Sequence, residues 1–192
     1  MPGMSNAQDE KKGQPADDDL PYVAACRKGD TEAFAVLVQR HSRKMLNISC
    51  RMLGDYDEAC DVTQEAFLAA FRAIGKFKAE AKFSTWLCRI VMNYSKNRLK
   101  VRQSLSRHES ASLDDIEQGG CPSCLAASDE ADPSLRLERQ ELNAQVRKCI
   151  AALEGDYREV LVLRDIQGFS YGEIRTVLKI PDGTVKSRLS RA

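Results

Sequence analysis

At 192 residues the chain has room for one large domain or two small ones joined by a linker. Its 43% hydrophobic and 30% charged residues suit a helical protein in water, and no apolar run approaches the roughly 20 residues of a membrane span, so membrane insertion is not expected. The net charge of +1 conceals a sorting into two basic stretches, Lys76 to Arg107 and Lys179 to Arg191, around an acidic one from Glu109 to Asp132; such an order implies a polyanion touched at two places.

Residues 1–19, with Asp9, Glu10 and Asp17 to Asp19, read as a disordered acidic tail and not as a signal peptide. A first module spans 20–103. Asp30 can cap a helix carrying Phe34, Leu37, Val38, His41, Met45 and Met52, which Gly54 stops. A second helix from near Asp57 places Phe67, Phe71 and Ile74 on one seam, with Gly75 as its stop, and a third runs from Ser84 or Thr85 towards Arg102. Residues 104–133, rich in Ser, Asp, Ala and Gly, read as a flexible acidic linker. The second module, 134–192, opens with a helix keeping Leu135, Leu142, Val146, Ile150 and Leu153 in period and ending at Gly155. Three shorter helices follow, from Tyr157 to about Gln167, Ser170 to about Leu178, and Asp182 or Gly183 to the end. No stretch sustains period-two alternation. The expected fold is therefore all-α, two small helical domains without a sheet.

The C-terminal pair of helices has the signature of a helix-turn-helix. Ser170 and Glu173 form a capping box. Ile174, Val177 and Leu178 face inward, and Lys179 to Asp182 make a short turn. In the last helix Val185, Leu189 and Ala192 share one stripe. Thr184, Ser187, Ser190 and Arg191 point away from it, flanked by Lys186 and Arg188. Arg, Lys, Ser and Thr on one face of a short helix can donate to phosphates and to base edges in a major groove. The plainer alternative is a solvated surface helix.

The helix after Phe83 carries a second such face. Leu87, Ile90, Val91 and Tyr94 fall within a narrow arc; Arg89, Asn93, Lys96 and Lys100 lie opposite, with Asn97 at the margin. Cations neutralise phosphates, and Asn amides bond base edges. Just upstream, Lys76-Phe77-Lys78 and Lys82-Phe83-Ser84-Thr85-Trp86 interleave cations with aromatics, a mixture that can stack on unpaired bases. Phe83 reads as core. Trp86, off the apolar arc, fits a core position and an exposed platform equally well.

These segments together resemble the extracytoplasmic-function sigma factors. Asp61 to Phe67 is similar to the family's polymerase-docking segment. Lys82 to Asn93 is similar to the segment that opens and reads the −10 element, and Tyr157 to Leu161 with Gly168 to Ala192 to the −35 reader. The resemblance implies two helical domains, no enzymatic activity and no cofactor. It also implies three partners: core RNA polymerase, promoter DNA and an anti-sigma factor. By the same resemblance Asp61, Gln64 and Glu65 meet a basic coiled coil of the polymerase. Lys82, Ser84, Thr85, Trp86, Arg89, Asn93, Lys96, Asn97 and Lys100 serve the −10 element. Thr184, Lys186, Ser187, Arg188, Ser190 and Arg191 serve the −35 element. A solvated helix face is the alternative for the first three.

Two positions depart from the family pattern. Arg175 stands where a small Ala lets the two reader helices approach, and Lys179 where a Gly ends the first of them. A non-Gly left-handed cap costs on the order of 1 kcal/mol, and Arg175 must snorkel out of the crossing. Seven cysteines, an odd and scattered set with no export signal, read as reduced thiols of a cytoplasmic protein. Cys121 and Cys124 have the spacing of half a zinc site or a redox pair, with His108 as a third ligand, yet no fourth is evident and two chance cysteines in a loop are the simpler account. Cys26, Cys50, Cys60, Cys88 and Cys149 read as small core or boundary residues. A stand-alone helix-turn-helix regulator is the main rival, but no ligand or phosphoacceptor domain precedes Gln103. No nucleophile–base pair or phosphate loop suggests an enzyme.

Overall fold

The computed structural model describes residues 17–108 and 133–192. Every regular element among them is helical: α1 Leu20–Arg27, α2 Thr31–Leu53, α3 Tyr56–Ala73, α4 Phe83–His108, α5 Pro133–Ala152, α6 Gly155–Leu161, α7 Tyr171–Leu178 and α8 Asp182–Arg191. A 3₁₀ turn at Ile74–Lys76 follows α3, and a π-helical turn at Val162–Ile166 extends α6. The all-α expectation holds.

Local chemistry sets the α2–α3 corner. The Asp30 carboxylate accepts from Ala33 N–H at 3.1 Å, and Asp55 accepts from Glu58 N–H at 2.8 Å, each satisfying a donor that the first helical turn leaves free. Between them Gly54 ends α2 at φ 79°, a left-handed conformation that glycine adopts without a Cβ penalty. The core of the first module then forms from Leu37, Met45, Ile48 and Met52 of α2, Val62 and Ala66 of α3, and Phe83, Leu87 and Val91 of α4, all at 1% exposure or less. Burying side chains of this size contributes about 1.5–3 kcal/mol each.

Several boundaries differ from the sequence expectation. Residues 17–19 belong to the first module and not to a loose tail: Asp17 accepts from Phe83 N–H, and Asp19 lies 2.7 Å from His41 Nε2 and 3.2 Å from Arg40. Acidic composition alone cannot reveal that a carboxylate has a partner far along the chain. Gly75 is not a left-handed stop, because α3 gives way to the 3₁₀ turn one residue earlier. The third long helix continues through His108, past residue 104 where the linker was placed. Helix α5 ends at Ala152, and Gly155 opens α6 instead of closing α5.

The second module packs Ile150, Val160, Leu163, Phe169, Ile174, Val177 and Val185. Among the described side chains of the apolar period on α5, Ile150 is covered, while Leu142 and Val146 stay 59% and 42% exposed. Ser170 and Glu173 close the capping box in both directions. Lys179 takes the left-handed cap at φ 57° and donates its N–H to Arg175 O at 2.8 Å. Arg175 turns out of the helix crossing to an exposed partner, Asp182, at 3.6 Å. Both departures from the family pattern are thus accommodated.

Candidate nucleic-acid and polymerase interfaces

Three surfaces carry the residues singled out in the sequence. On α3, Asp61, Gln64 and Glu65 are all exposed. Glu65 reaches Arg98 of α4 at 3.2 Å, an exposed pair worth little and easily exchanged for another cation. One turn further, Leu68 and Phe71 are 55% and 40% exposed. Phe71 was expected on the buried seam with Phe67; it lies at the edge instead, its ring 4.9 Å from that of Phe34. Leu68 continues the Asp61, Gln64 and Glu65 face at helical spacing and was missed. Only its register relative to those polar residues could have marked it.

On α4, Asn93, Asn97 and Lys100 are exposed, while Lys82, Ser84, Trp86 and Arg89 are half-buried towards its start. Trp86 leans on Phe77 and Phe83, with ring centroids 5.3 and 5.7 Å away, and these two buried rings meet each other at 5.9 Å. The indole is half-buried: it rests on the core and keeps part of its surface in solvent. Together with Lys76, Phe77, Lys78, Ala81, Thr85, Arg89 and Thr176 it lines a cleft of about 400 Å³, where the three cations outnumber one acid, Glu80. A cationic rim around an aromatic floor suits an unpaired base and its phosphates.

Two expected members of this face are placed differently. Thr85 is 1% exposed and its hydroxyl has no hydrogen-bond partner. Lys96 does not point freely to solvent, because its ammonium lies 2.7 Å from the carboxylate of Glu159 in the second module. The apolar surface of α4 explains both. Besides Leu87 and Val91, Cys88, Met92 and Ser95 are buried, so the covered arc is far wider than the single seam expected, and α7 packs against this helix.

On α8, Lys186, Ser187, Ser190 and Arg191 are exposed while Thr184 is half-buried. The Ser187 hydroxyl donates to Thr184 O at 3.1 Å. Arg188 is engaged by Asp156 of α6 and is held against its own module. The face therefore presents three kinds of donor, an ammonium, hydroxyls and a guanidinium, on one side of a ten-residue helix.

Cys26, Cys50 and Cys88 are buried and Cys60 partly so, whereas Cys149 is exposed, contrary to its reading as a core or boundary residue. The candidate pair Cys121 and Cys124 lies outside the described residues, as does the side chain of His108. Among the described residues no cluster of three metal-ligating side chains occurs, and no helix is long and apolar enough to cross a membrane.

Comparison with known proteins connects these faces. Residues 37–105 match the family model of sigma-70 region 2, and residues 143–192 that of sigma-70 region 4. The chain is 38% identical over 176 residues to the RNA polymerase sigma-H factor of Pseudomonas aeruginosa, covering 91% of this chain and 89% of that protein. It is 36% identical over 174 residues to the ECF RNA polymerase sigma-E factor of Escherichia coli K12, covering 91% and 90%. Among solved structures, that of CnrH in complex with the cytosolic domain of CnrY superimposes with a TM-score of 0.63 at 26% identity over 92% of both chains. That of the sigma factor RpoE with the anti-sigma factor NepR from Bartonella quintana shares the fold, with a TM-score of 0.62 at 19% identity over 84% of this chain and 92% of that one. Because the curated relatives run through both modules and the connector between them, and not through a helix-turn-helix alone, the chain belongs to the extracytoplasmic-function RNA polymerase sigma factors.

Proposed function

We propose that this chain binds core RNA polymerase and gives it promoter choice, with α3 docking on the enzyme, α4 receiving the −10 element and α8 reading the −35 element. It is a transcription initiation factor. The observation that carries the reading is the coexistence, in one chain, of an aromatic-floored cationic cleft suited to unpaired bases and a helix suited to duplex DNA. A regulator that only binds an operator has use for the second and none for the first.

The division of labour follows from chemistry. Asp61, Gln64 and Glu65 offer two carboxylates and an amide to a basic partner, and Leu68 supplies apolar area at the same face. Holding a base out of the stack costs a few kcal/mol, and each opened step forfeits about 1.4 kcal/mol of stacking. Trp86 and the cations Lys82, Arg89, Lys96 and Lys100 offset that cost by capturing the unpaired strand, aided by Ser84, Asn93 and Asn97. Thr85 joins them only if its side chain emerges. At the other end Lys186, Arg191, Ser187, Ser190 and Thr184 contact the duplex, and Arg188 joins them on leaving Asp156. An anti-sigma factor is a further proposed partner, in line with the anti-sigma factor NepR bound to RpoE.

Run-off transcription with core polymerase on a promoter library tests the whole. Start sites sharing a −10 and −35 pair that appear only when this protein is added are expected. Tight, sequence-specific binding to an operator in the absence of polymerase, with no start-site choice in its presence, would establish the stand-alone regulator instead.

A further inference from the structure

Residues from Arg158 to Thr176 pack on the first module, reaching both α2 and the helix α4 assigned above to the −10 element. Glu159, 4% exposed, places its carboxylate 2.7 Å from Lys96. Its neighbour Arg158 donates to Met52 O at 2.8 Å. Lys44 of α2 sits 4.3 Å above the ring of Phe169, a buried side chain of the second module. Thr176 of α7 lines the same cleft as Trp86 and Arg89. Two of these contacts, at Lys96 and at the cleft, fall on the α4 surface, and the two on α2 hold the second module beside it.

We infer that the second module is an internal occupant of the −10 face, closing over α4 with the Glu159 carboxylate on Lys96 in the place of a DNA phosphate. The inference rests on the assignment of α4 to the −10 element. Lys96 cannot serve Glu159 and a phosphate at once, and a strand entering the cleft meets Thr176. Covalent connection makes closure unimolecular, at an effective concentration on the order of millimolar, so even a modest interface is populated. Closure lowers the apparent affinity for single-stranded DNA by the fraction of molecules left open, and polymerase, by spreading the two modules along a promoter, uncovers the face. The closed arrangement also accounts for the buried Thr85 and for the wide covered arc of α4.

The test uses the full chain without polymerase. A carbodiimide, which joins carboxylates to amines only at ion-pair distance, should link Lys96 to Glu159, and small-angle scattering should give a compact particle. Glu159→Lys should abolish the link, expand the particle and tighten binding of a single-stranded −10-type oligonucleotide about fivefold or more. Glu141→Lys, an exposed acid on α5, carries the same charge change and should do none of these. The exchange Lys96→Glu with Glu159→Lys should restore compactness, which a mere folding defect would not. A wild-type particle with separated modules and no Lys96–Glu159 link overturns the inference, as does a Glu159→Lys protein with unchanged size and affinity. Lys100→Ala keeps the two ideas apart. If it weakens the oligonucleotide in every background while Glu159→Lys does nothing, closure is wrong and the DNA face stands. If Lys100→Ala is silent throughout, the face itself is wrong.

Discussion

Asp17 caps a helix that begins 66 residues further along the chain: its carboxylate accepts the backbone N–H of Phe83 at 2.6 Å, at the first residue of α4. The residues just before α1 thereby fix the start of the helix proposed to receive the −10 element. Replacing an acidic cap by Ala costs about 0.5–2 kcal/mol, so Asp17→Ala should lose about 1 kcal/mol in urea denaturation, with Asp17→Asn close to wild type. Equal stability of the Ala variant would show the contact to be idle.

The face proposed to dock on polymerase should separate by mutation from the faces proposed to bind DNA. Leu68 is more than half exposed, so Leu68→Ala leaves no cavity and should keep the fold's stability. If Leu68 sits at the centre of the contact, its truncation should cost about 1 kcal/mol or more in affinity for core polymerase. Asp61→Ala should act in the same direction through lost pairing with a basic partner. Neither should change binding of duplex −35 DNA. A titration against labelled core enzyme, with the DNA measurement alongside, checks both halves.

On α8 the exposed cations and the engaged one should differ. Lys186 and Arg191 are exposed, and removing a phosphate contact lowers the slope of log affinity against log salt by about one unit. Lys186→Ala and Arg191→Ala should each show that reduced slope with polymerase-bound protein. Arg188 is engaged by Asp156, so Arg188→Ala should change the slope less and the stability of the second module more.

Much of this was legible in the sequence because it is written in local chemistry. The caps Asp30 and Gly54, the Ser170–Glu173 box and the left-handed Lys179 all involve residues within four positions of the groups they serve, and each took the expected place. What the sequence concealed is long-range. Asp17, Asp19 and Glu159 are carboxylates whose meaning lies in partners 66, 22 and 63 positions away. Periodicity misled where one module covers another. It put Lys96 on a free face, and it read Leu142 and Val146 as buried because they are apolar and in phase.

Thiol chemistry should follow burial. Cys88 is fully buried, and desolvation pushes its thiol up to about 12, with Lys44 pulling the other way and Glu173 adding to the rise. Cys149 is exposed. The thiolate is the reactive form, so brief alkylation with iodoacetamide at about pH 8 should label Cys149 and spare Cys88, as read by peptide mass spectrometry. Equal labelling of both in the folded protein would contradict the packing of α4.

Glu159 gives a pH dependence of definite sign. Burial raises its carboxyl above the ordinary carboxylate range, against the hydrogen bond and charge of Lys96; Asp156 adds to the rise and Arg188 opposes it. The native protein therefore holds this proton more tightly than the unfolded chain, whose glutamates titrate near about 4.3. The stabilisation from that bound proton is complete below the unfolded value and is lost as pH rises through the raised native one. Above that window the ionised group costs native stability. Glu159→Gln keeps the shape and one acceptor but cannot titrate. Wild type should thus gain stability relative to Glu159→Gln as pH falls from neutrality, with the gain levelling off below the unfolded value of about 4.3. Urea denaturation of both proteins across that range measures the difference directly. A difference independent of pH, or one that moves against wild type on acidification, would mean that the Lys96 pairing outweighs burial and that the carboxyl is held down instead of up.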